Sequence, residues 1–291
     1  MGAAVTVVGS INVDVVVRVR RLPDQGETVP GSSMERLPGG KGANQAAALA
    51  RLGVQTALTS AVGDDADGAL SLAALAGVDV TSVRTVEAPT GLALITVEDS
   101  GENTIVVVSG ANGSVQPPRS CGALVVQLEI PMDVVAASVA AADGLVVLNA
   151  APATALPDDL LAGVDVLVVN ESEALVVAGR ATVTDALAAL FPKVRRGVVV
   201  TLGAAGCLVA TGSEPVAVPS PSVSAVDSVG AGDAFVAALT WQLLAGASLV
   251  DAATVACEAG ALSVTRRGAR ATPTPAELGA PPGGPSPVRP S

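Results

Sequence analysis

Short valine-rich runs alternate with longer alanine- and leucine-rich stretches along most of this chain. The runs Val5–Val8, Gln55–Ser60, Ala123–Gln127, Gly144–Leu148, Val164–Val169, Val198–Thr201 and Cys207–Ala210 are brief and almost wholly apolar. Such strands are expected where a mostly parallel sheet is covered on both faces. Helical spacing fills the gaps: Gly42–Leu52, Gly68–Ala76, Met132–Ala142, Glu171–Ala178, Thr184–Leu190, Asp233–Ala245 and Leu249–Thr265. Strand–helix alternation of this kind predicts an α/β fold with helices flanking a central sheet.

Two segments break the rhythm. Residues 15–37 and 90–108 lack helical periodicity and hold several turn residues, so they predict antiparallel strands. Paired together, they form a small lid over one end of the main sheet. The organisation expected is one α/β unit over residues 1–278 that includes the lid. A disordered Pro/Gly-rich tail at 279–291 follows.

Composition narrows the chemistry. Of 291 residues half are hydrophobic, but only 1% are aromatic, so Val, Ala and Leu build the core. Histidine and tyrosine are absent. That excludes a histidine general base, a Ser-His-Asp triad and histidine-ligated zinc. A net charge of −11 with no basic stripe argues against nucleic acid and anionic membrane surfaces. Cys121, Cys207 and Cys257 are far apart in sequence and read as buried free thiols in a reducing compartment. The apolar stretch Ala234–Val250 contains Thr240, Gln242, Gly246 and Ser248, as a buried helix does and a membrane span rarely does. No leader pattern opens the chain. A soluble, cytoplasmic protein is expected.

The segment with most chemistry is Asp227-Ser228-Val229-Gly230-Ala231-Gly232-Asp233. The Val/Ser alternation before it predicts a strand that runs into a glycine loop and then a helix. Helix-start amides suit an anion, and glycine lets a ligand approach the main chain. A carboxylate there, Asp233, would repel phosphate unless it takes the proton of an attacking hydroxyl. The plainer alternative is a helix-capping Asp.

Other polar residues punctuate apolar runs. Ser10, Asn12 and Asp14 share one face if Val5–Val17 is a continuous strand, and Asn12 with Asp14 suits sugar hydroxyls. The alternative is a strand with a wet face. Pro38-Gly39-Gly40-Lys41-Gly42-Ala43-Asn44 opens a helix without the spacing of a P-loop; Lys41 and Asn44 offer directed polar contacts, or the segment is a flexible turn with a solvated Lys. Glu129 and Asn170-Glu171-Ser172-Glu173 follow strand ends, where open α/β sheets bind ligands. Glu173 holds Mg²⁺ through water or is an ordinary acidic first turn. Thr201-Leu202-Gly203-Ala204-Ala205-Gly206 suits nucleotide phosphates, though weakly on its own. Asp64, Asp65 and Asp67 lack the other ligands of a calcium loop and read as a helix cap.

Together these segments resemble the ribokinase (PfkB) family of carbohydrate kinases, from Val5 to about Thr272. The resemblance rests on GSINVD (Gly9–Asp14), GGKGANQA (Gly39–Ala46), GEN (Gly101–Asn103), QLEIP (Gln127–Pro131), NESEA (Asn170–Ala174), TLGAAG (Thr201–Gly206) and DSVGAGDAF (Asp227–Phe235), in that order. It implies a doubly wound sheet with a β lid that serves as a homodimer interface. It implies phosphorylation of D-ribose by ATP, with Asn12, Asp14, Gly40, Lys41, Gly42, Ala43, Asn44 and Glu129 around the sugar. Asn170, Thr201, Leu202, Gly203, Ala204, Ala205 and Gly206 fall at nucleotide positions, shared by Gly232 and Asp233. Asp233 matches the catalytic base, and Gly230, Ala231 and Gly232 the anion hole. Glu173 matches a position linked to Mg²⁺. Asp227, Val229, Ser263, Arg266, Gly268 and Thr272 match those around an activating potassium ion. Three departures stand out. Ser228 replaces the usual Thr, Cys257 falls near the adenine edge, and residues 116–122 and 179–197 are short. Open alternatives are a kinase of another sugar or of a nucleoside, and a non-catalytic sugar-binding regulator. A nucleoside fits poorly with so few aromatic residues to stack on its base.

Overall fold

Alternate residues of a single short strand serve two different cores, which makes the main sheet a middle layer. In Ala123–Gln127, Leu124 and Val126 enter one core and Val125 the other, all with 0% exposure. The structure, a computed structural model, describes residues 5–100 and 102–278. Gly101 of the GEN motif and the predicted tail at 279–291 lie outside the described residues.

The chain opens with β1 (Val5–Val8), β2 (Asn12–Val19), β3 (Gly31–Gly39), α1 (Lys41–Arg51), β4 (Thr56–Gly63) and α2 (Ala66–Ala73). Then come β5 (Val78–Asp79), β6 (Val83–Val86), β7 (Gly91–Glu98), β8 (Asn103–Val108), β9 (Ala123–Gln127) and α3 (Met132–Ala141). The second half holds β10 (Val146–Asn149), α4 (Asp158–Ala162), β11 (Val166–Asn170), α5 (Glu171–Ala178), α6 (Val183–Leu190) and β12 (Gly197–Thr201). It ends with β13 (Cys207–Ala210), β14 (Val216–Val218), α7 (Ala231–Leu244) and α8 (Leu249–Ser263).

The main sheet runs β14-β13-β12-β11-β10-β9-β1-β4-β5, with β6 also on β4. From β12 to β5 every pairing is parallel, while β13 and β14 add an antiparallel edge. One face packs on α1, α7 and α8 through small residues such as Ala43, Ala46, Ala238 and Ala256. The other is covered by α3 to α6 through Val135, Leu161, Ala174 and Leu187. The fold is thus α/β and doubly wound, as expected. After β1 the chain builds outward to β4 and then returns to β9. That reversal puts the binding crevice at the carboxyl ends of β1 and β9.

A second sheet, β3-β2-β7-β8, comes from the two segments that broke the helical rhythm. Here β2 pairs antiparallel with β3 and parallel with β7. Asp65 ties the lid's root to the body: it caps α2 by accepting from Gly68 N at 2.7 Å and also accepts from Thr90 N at 2.8 Å. The expected cap is therefore present.

Several expectations need correction. The run Val5–Val17 is not one strand. It breaks at residues 9–11, so β1 belongs to the main sheet and β2 to the lid: Gly9 N still bonds Thr59 O of β4 at 3.2 Å, but both backbone groups of Ile11 bond to the Asn112 side chain. No strand precedes the glycine loop: residues 219–229 are irregular, since Pro219 and Pro221 remove ladder donors. The short α4, β5, β6 and β14 were not foreseen, being too brief to show a period. Boundaries shift where a cap decides them; α2 starts at Ala66 rather than Gly68 because Asp65 caps it. Among the described residues no single helix is long and apolar enough to cross a membrane, and Ala234–Leu243 is buried throughout.

Candidate active site

Strand ends supply most of the site. Asn149, Asn170 and Thr201 are the last residues of β10, β11 and β12, and Glu129 lies two residues beyond β9. Helices α1 and α7 begin at the same edge; the first amides of α1 are taken by Glu129 and Ser10, whereas those of Gly232 and Asp233 in α7 have no partner among the described residues. A cavity of about 170 Å³ opens there, lined by Lys41, Asn149, Asn170, Glu173, Thr201 and Asp233. Gly230 and Gly232 complete its rim.

Gly230 caps α7 with φ 79°, a left-handed conformation that glycine alone adopts freely. Asp233, in the first turn, is 8% exposed. Its carboxylate accepts from Asn44 Nδ2 at 3.1 Å and Gln45 Nε2 at 2.9 Å. Burial raises its pKa, opposed by the Lys41 charge and by these two amide donors, with Glu129 adding to the rise. Donors on the protein side favour the ionised, proton-accepting form. The capping alternative is not realised, since the carboxylate bonds to α1 side chains and not to its own helix.

Asn12 and Asp14 lie on one face of β2, as strand spacing required, but at the root of the lid. Ser10 is in the link before β2 and donates to Glu129, which also accepts from Lys41 N at 3.1 Å. Gly40, with φ 87°, starts α1 directly against Asn12 N; a side chain there would collide with that backbone. Gly42, Ala43 and Asn44 follow on α1 and are buried. The Asp14 carboxyl is pushed up to about 6, by burial first, then by Glu129 and Asp233, against Lys41 and Arg270. Lys41 borders the same cavity as Glu173. Burial lowers its pKa, but Asp233, Glu129, Glu173 and Asp14 outweigh that and raise it.

Asn170 and Glu173, expected on the nucleotide side, are an acidic first turn and its cap. They form a capping box for α5, with Asn170 Oδ1 accepting from Glu173 N and Glu173 Oε2 from Asn170 N, both at 2.8 Å. They also line the cavity. Glu173 Oε1 keeps its lone pairs, and burial raises the carboxyl's pKa against the pull of Asn170 N and Lys41. One free carboxylate oxygen beside a phosphate-sized space fits Mg²⁺ held through water. Residues 203–205 make a tight turn between β12 and β13, where Gly203, Ala204 and Ala205 are exposed; Leu202 N bonds back to Gly206 O at 2.7 Å.

The residues matched to potassium cluster beside the start of α7. Asp227 accepts from Val229 N at 3.0 Å and Gly268 N at 2.9 Å, drawing the 227–229 and 263–268 loops together. Arg266 turns its side chain to Glu277, and Ser263 Oγ donates to Gly260 O, which leaves the hydroxyl's lone pairs and the backbone carbonyls as oxygen donors for a cation. Thr272 is buried. Cys257, expected near the adenine edge, is buried in the core with its Sγ 3.7 Å from Cys207 Sγ. All three cysteines are buried free thiols, although two that are distant in sequence meet.

Sequence reasoning missed several polar residues. Gln45 holds Asp233, and its other bonds run to Asn149 and Gln127. Its place beside Asn44 in the GGKGANQA segment, just before Ala46–Ala48, was the available signal. Arg270 donates to Asn44 Oδ1 at 3.3 Å and to Ala74 O at 2.7 Å, with its second terminal nitrogen buried and unpartnered. Nothing in its loop distinguished it. Asn112 bonds both Ile11 and Asn12.

Comparison with known proteins agrees with this geometry. The model of the pfkB family of carbohydrate kinases matches residues 3–277. A ribokinase of Haemophilus influenzae is 37% identical, covering 94% of this chain and 95% of its own length. A ribokinase of Schizosaccharomyces pombe is also 37% identical, with 91% and 93% covered. The structure of Arabidopsis thaliana ribokinase complexed with ribose and ATP superposes with a TM-score of 0.86 at 32% identity, over 96% of this chain and 98% of that one. With sequence and fold matched over nearly its whole length, the chain belongs to the pfkB family of carbohydrate kinases.

Proposed function

We propose that this enzyme transfers the γ-phosphoryl group of ATP to O5 of D-ribose, giving D-ribose 5-phosphate and ADP. One observation carries the reading: the buried Asp233 carboxylate is held by side-chain donors at a helix start, borders the phosphate-sized cavity and is near enough to Glu129 and Asp14 to feel their charges. The relatives' ribose-kinase names and the plant structure's ribose and ATP support it.

In this scheme Asn12, Asp14, Lys41, Asn44 and Glu129 hold the ribose hydroxyls. Asp233 takes the O5 proton as that oxygen bonds the γ-phosphorus and the bond to the ADP oxygen breaks. The Gly232 and Asp233 amides, which start α7 without helical partners, receive the charge on the transferred group. Asn170, Thr201 and Gly206 lie along the nucleotide side. Mg²⁺, carried with ATP beside Glu173, supplies charge neutralisation at the phosphates. Potassium, at the carbonyls around Asp227, would steady the helix-start loop. A coupled ADP-release assay tests the proposal: ribose should give ADP in strict dependence on ATP and Mg²⁺, faster with potassium. ADP release with other sugars or nucleosides but not ribose would defeat it.

Asp14 gives a pH signature. An ionised carboxylate offers hydroxyls charged acceptors on both oxygens, whereas protonation removes the charge and turns one oxygen into a donor. Because its pKa is raised to about 6, ribose affinity should hold above that pH and weaken below it. The expected result is a ribose KM that climbs as pH falls through about 6, and a flat profile in Asp14→Asn. Folding runs the other way. The carboxyl favours the folded state only while protonated, so Asp14→Asn should raise Tm at neutral pH.

The proposal includes a homodimer through the lid. Ile105 and Val107 are 55% and 49% exposed, and they share a face with Leu37 in the sheet register. Clustered apolar exposure of this kind marks an interaction surface. The variant Ile105→Glu with Val107→Glu should run as a monomer in light scattering where the parent runs as a dimer; identical masses would remove the lid from the interface.

A further inference from the structure

Asn112 sits in a short turn, residues 110–114, packed beneath the root of the lid and only 1% exposed. Its Oδ1 accepts from Ile11 N at 2.9 Å, and its Nδ2 donates to Ile11 O at 3.1 Å and to Asn12 Oδ1 at 2.7 Å. A carboxamide has one accepting and one donating end, and shape alone rarely says which is which. Here the backbone decides. The N–H of Ile11 only donates and its carbonyl only accepts, so Asn112 fits in one orientation. Both Nδ2 protons are then engaged, and Asn12 must meet the second with its oxygen. Among the described residues, the Nδ2 of Asn12 is left without a partner. Gly91 closes the pair from behind, since a side chain there would fall on Asn112 Nδ2 and Asn12 Oδ1 together.

We infer that Asn112 is a positioning residue for the sugar: it locks the Asn12 carboxamide so that a donor, not an acceptor, faces the substrate. Asp14, two residues along the same face of β2, offers only acceptors when ionised. The pair therefore reads a group that accepts from Asn12 and donates to Asp14. A hydroxyl does both, whereas a methylene does neither and an ether oxygen only accepts. The inference rests on the ribose-kinase reading only for the identity of the sugar.

A double-mutant cycle tests whether Asn112 acts through Asn12. Asn112→Ala should raise the ribose KM roughly tenfold, the effect of one misdirected hydrogen bond. The ATP KM and kcat should stay within about twofold of the parent. Added to Asn12→Ala, the same change should alter the ribose KM by less than about twofold, because residues acting in one network are not additive. An unchanged ribose KM in the single variant, or additive effects in the double, would overturn the inference.

Side-chain amide exchange in the sugar-free parent protein, followed by ¹⁵N NMR, gives a readout independent of activity and of any variant's folding. Both Asn112 Nδ2 protons should be protected, and those of Asn12 should exchange faster. The signals are assigned by their loss in Asn112→Asp and Asn12→Asp. Fast exchange at Asn112 would overturn the lock whatever the sugar. A parent enzyme inactive on ribose but protected at Asn112 would sink the substrate reading alone.

Discussion

Asp233→Asn should lower kcat for ribose phosphorylation by about 10²- to 10⁴-fold, the usual contribution of a positioned general base. The substitution is isosteric, but its surroundings accept it badly. Both contacts on the carboxylate are donors, and neither donor is free to turn round. Gln45 also donates to Asn149 and accepts from Gln127, while Asn44 accepts from Arg270. The new NH₂ must therefore face a donor. Ribose affinity, carried mainly by Asn12, Asp14 and Glu129, should change far less than kcat, and calorimetric titration of ribose checks this. The parent's kcat should also fall at acid pH, beginning above the ordinary carboxylate range because burial raises the Asp233 pKa. That limb arises from protonation of the base and should vanish with it. Turnover near the parent level in Asp233→Asn would remove Asp233 from the chemistry.

The second large effect is expected at Gly230. A Cβ there would lie within 2.6 Å of the Cα and C of Ala269, and the residue's φ of 79° is already strained for any side chain. The conformational part alone costs roughly 1–2 kcal/mol. Relief of the clash must move either the start of α7 or the loop that carries Arg270. Both positions bear on Asp233, the first directly and the second through Asn44. A displacement of about 1 Å at reacting groups costs about 10²-fold in rate. Gly230→Ala should therefore lose both Tm and kcat. Gly232→Ala is the contrast, since among the described residues no atom beyond its own stretch of α7 lies within 4 Å of its added Cβ. Its Tm should hold while its ATP KM rises, because the new methyl points into space kept for phosphate. Equal Tm losses in the two variants would remove the distinction between a packed glycine and a ligand-facing one.

The main sheet was legible because its signal is local. Valine runs such as Val198–Thr201 are apolar on both faces, and only a doubly covered sheet buries them fully. Glu129 and Asn170 were legible for a related reason, as polar residues where apolar strands end. The same rule would have found Asn149 at the end of β10. The misplaced strand before Asp227 shows the limit of alternation: Val223, Ala225 and Val226 alternate with serines yet have no neighbouring strand to pair with. Val5–Val17 shows another limit. Its continuous apolar pattern conceals a change of sheet at residues 9–11, where the Asn112 side chain takes up both backbone groups of Ile11.

What the amino-acid order settled alone was element type along the central sheet and the chemistry available at its carboxyl edge, because strand period, helix caps and glycine turns act within a few residues. Which groups meet was settled only by tertiary packing. Gln45 and Asn44 reach Asp233 across almost 190 residues, and Asn112 reaches Asn12 across 100. Contacts of that kind depend on where α1, α7 and the lid come to rest on the sheet. No spacing along the chain encodes those distances, since the docking is set by the burial of apolar faces far from the polar groups it brings together.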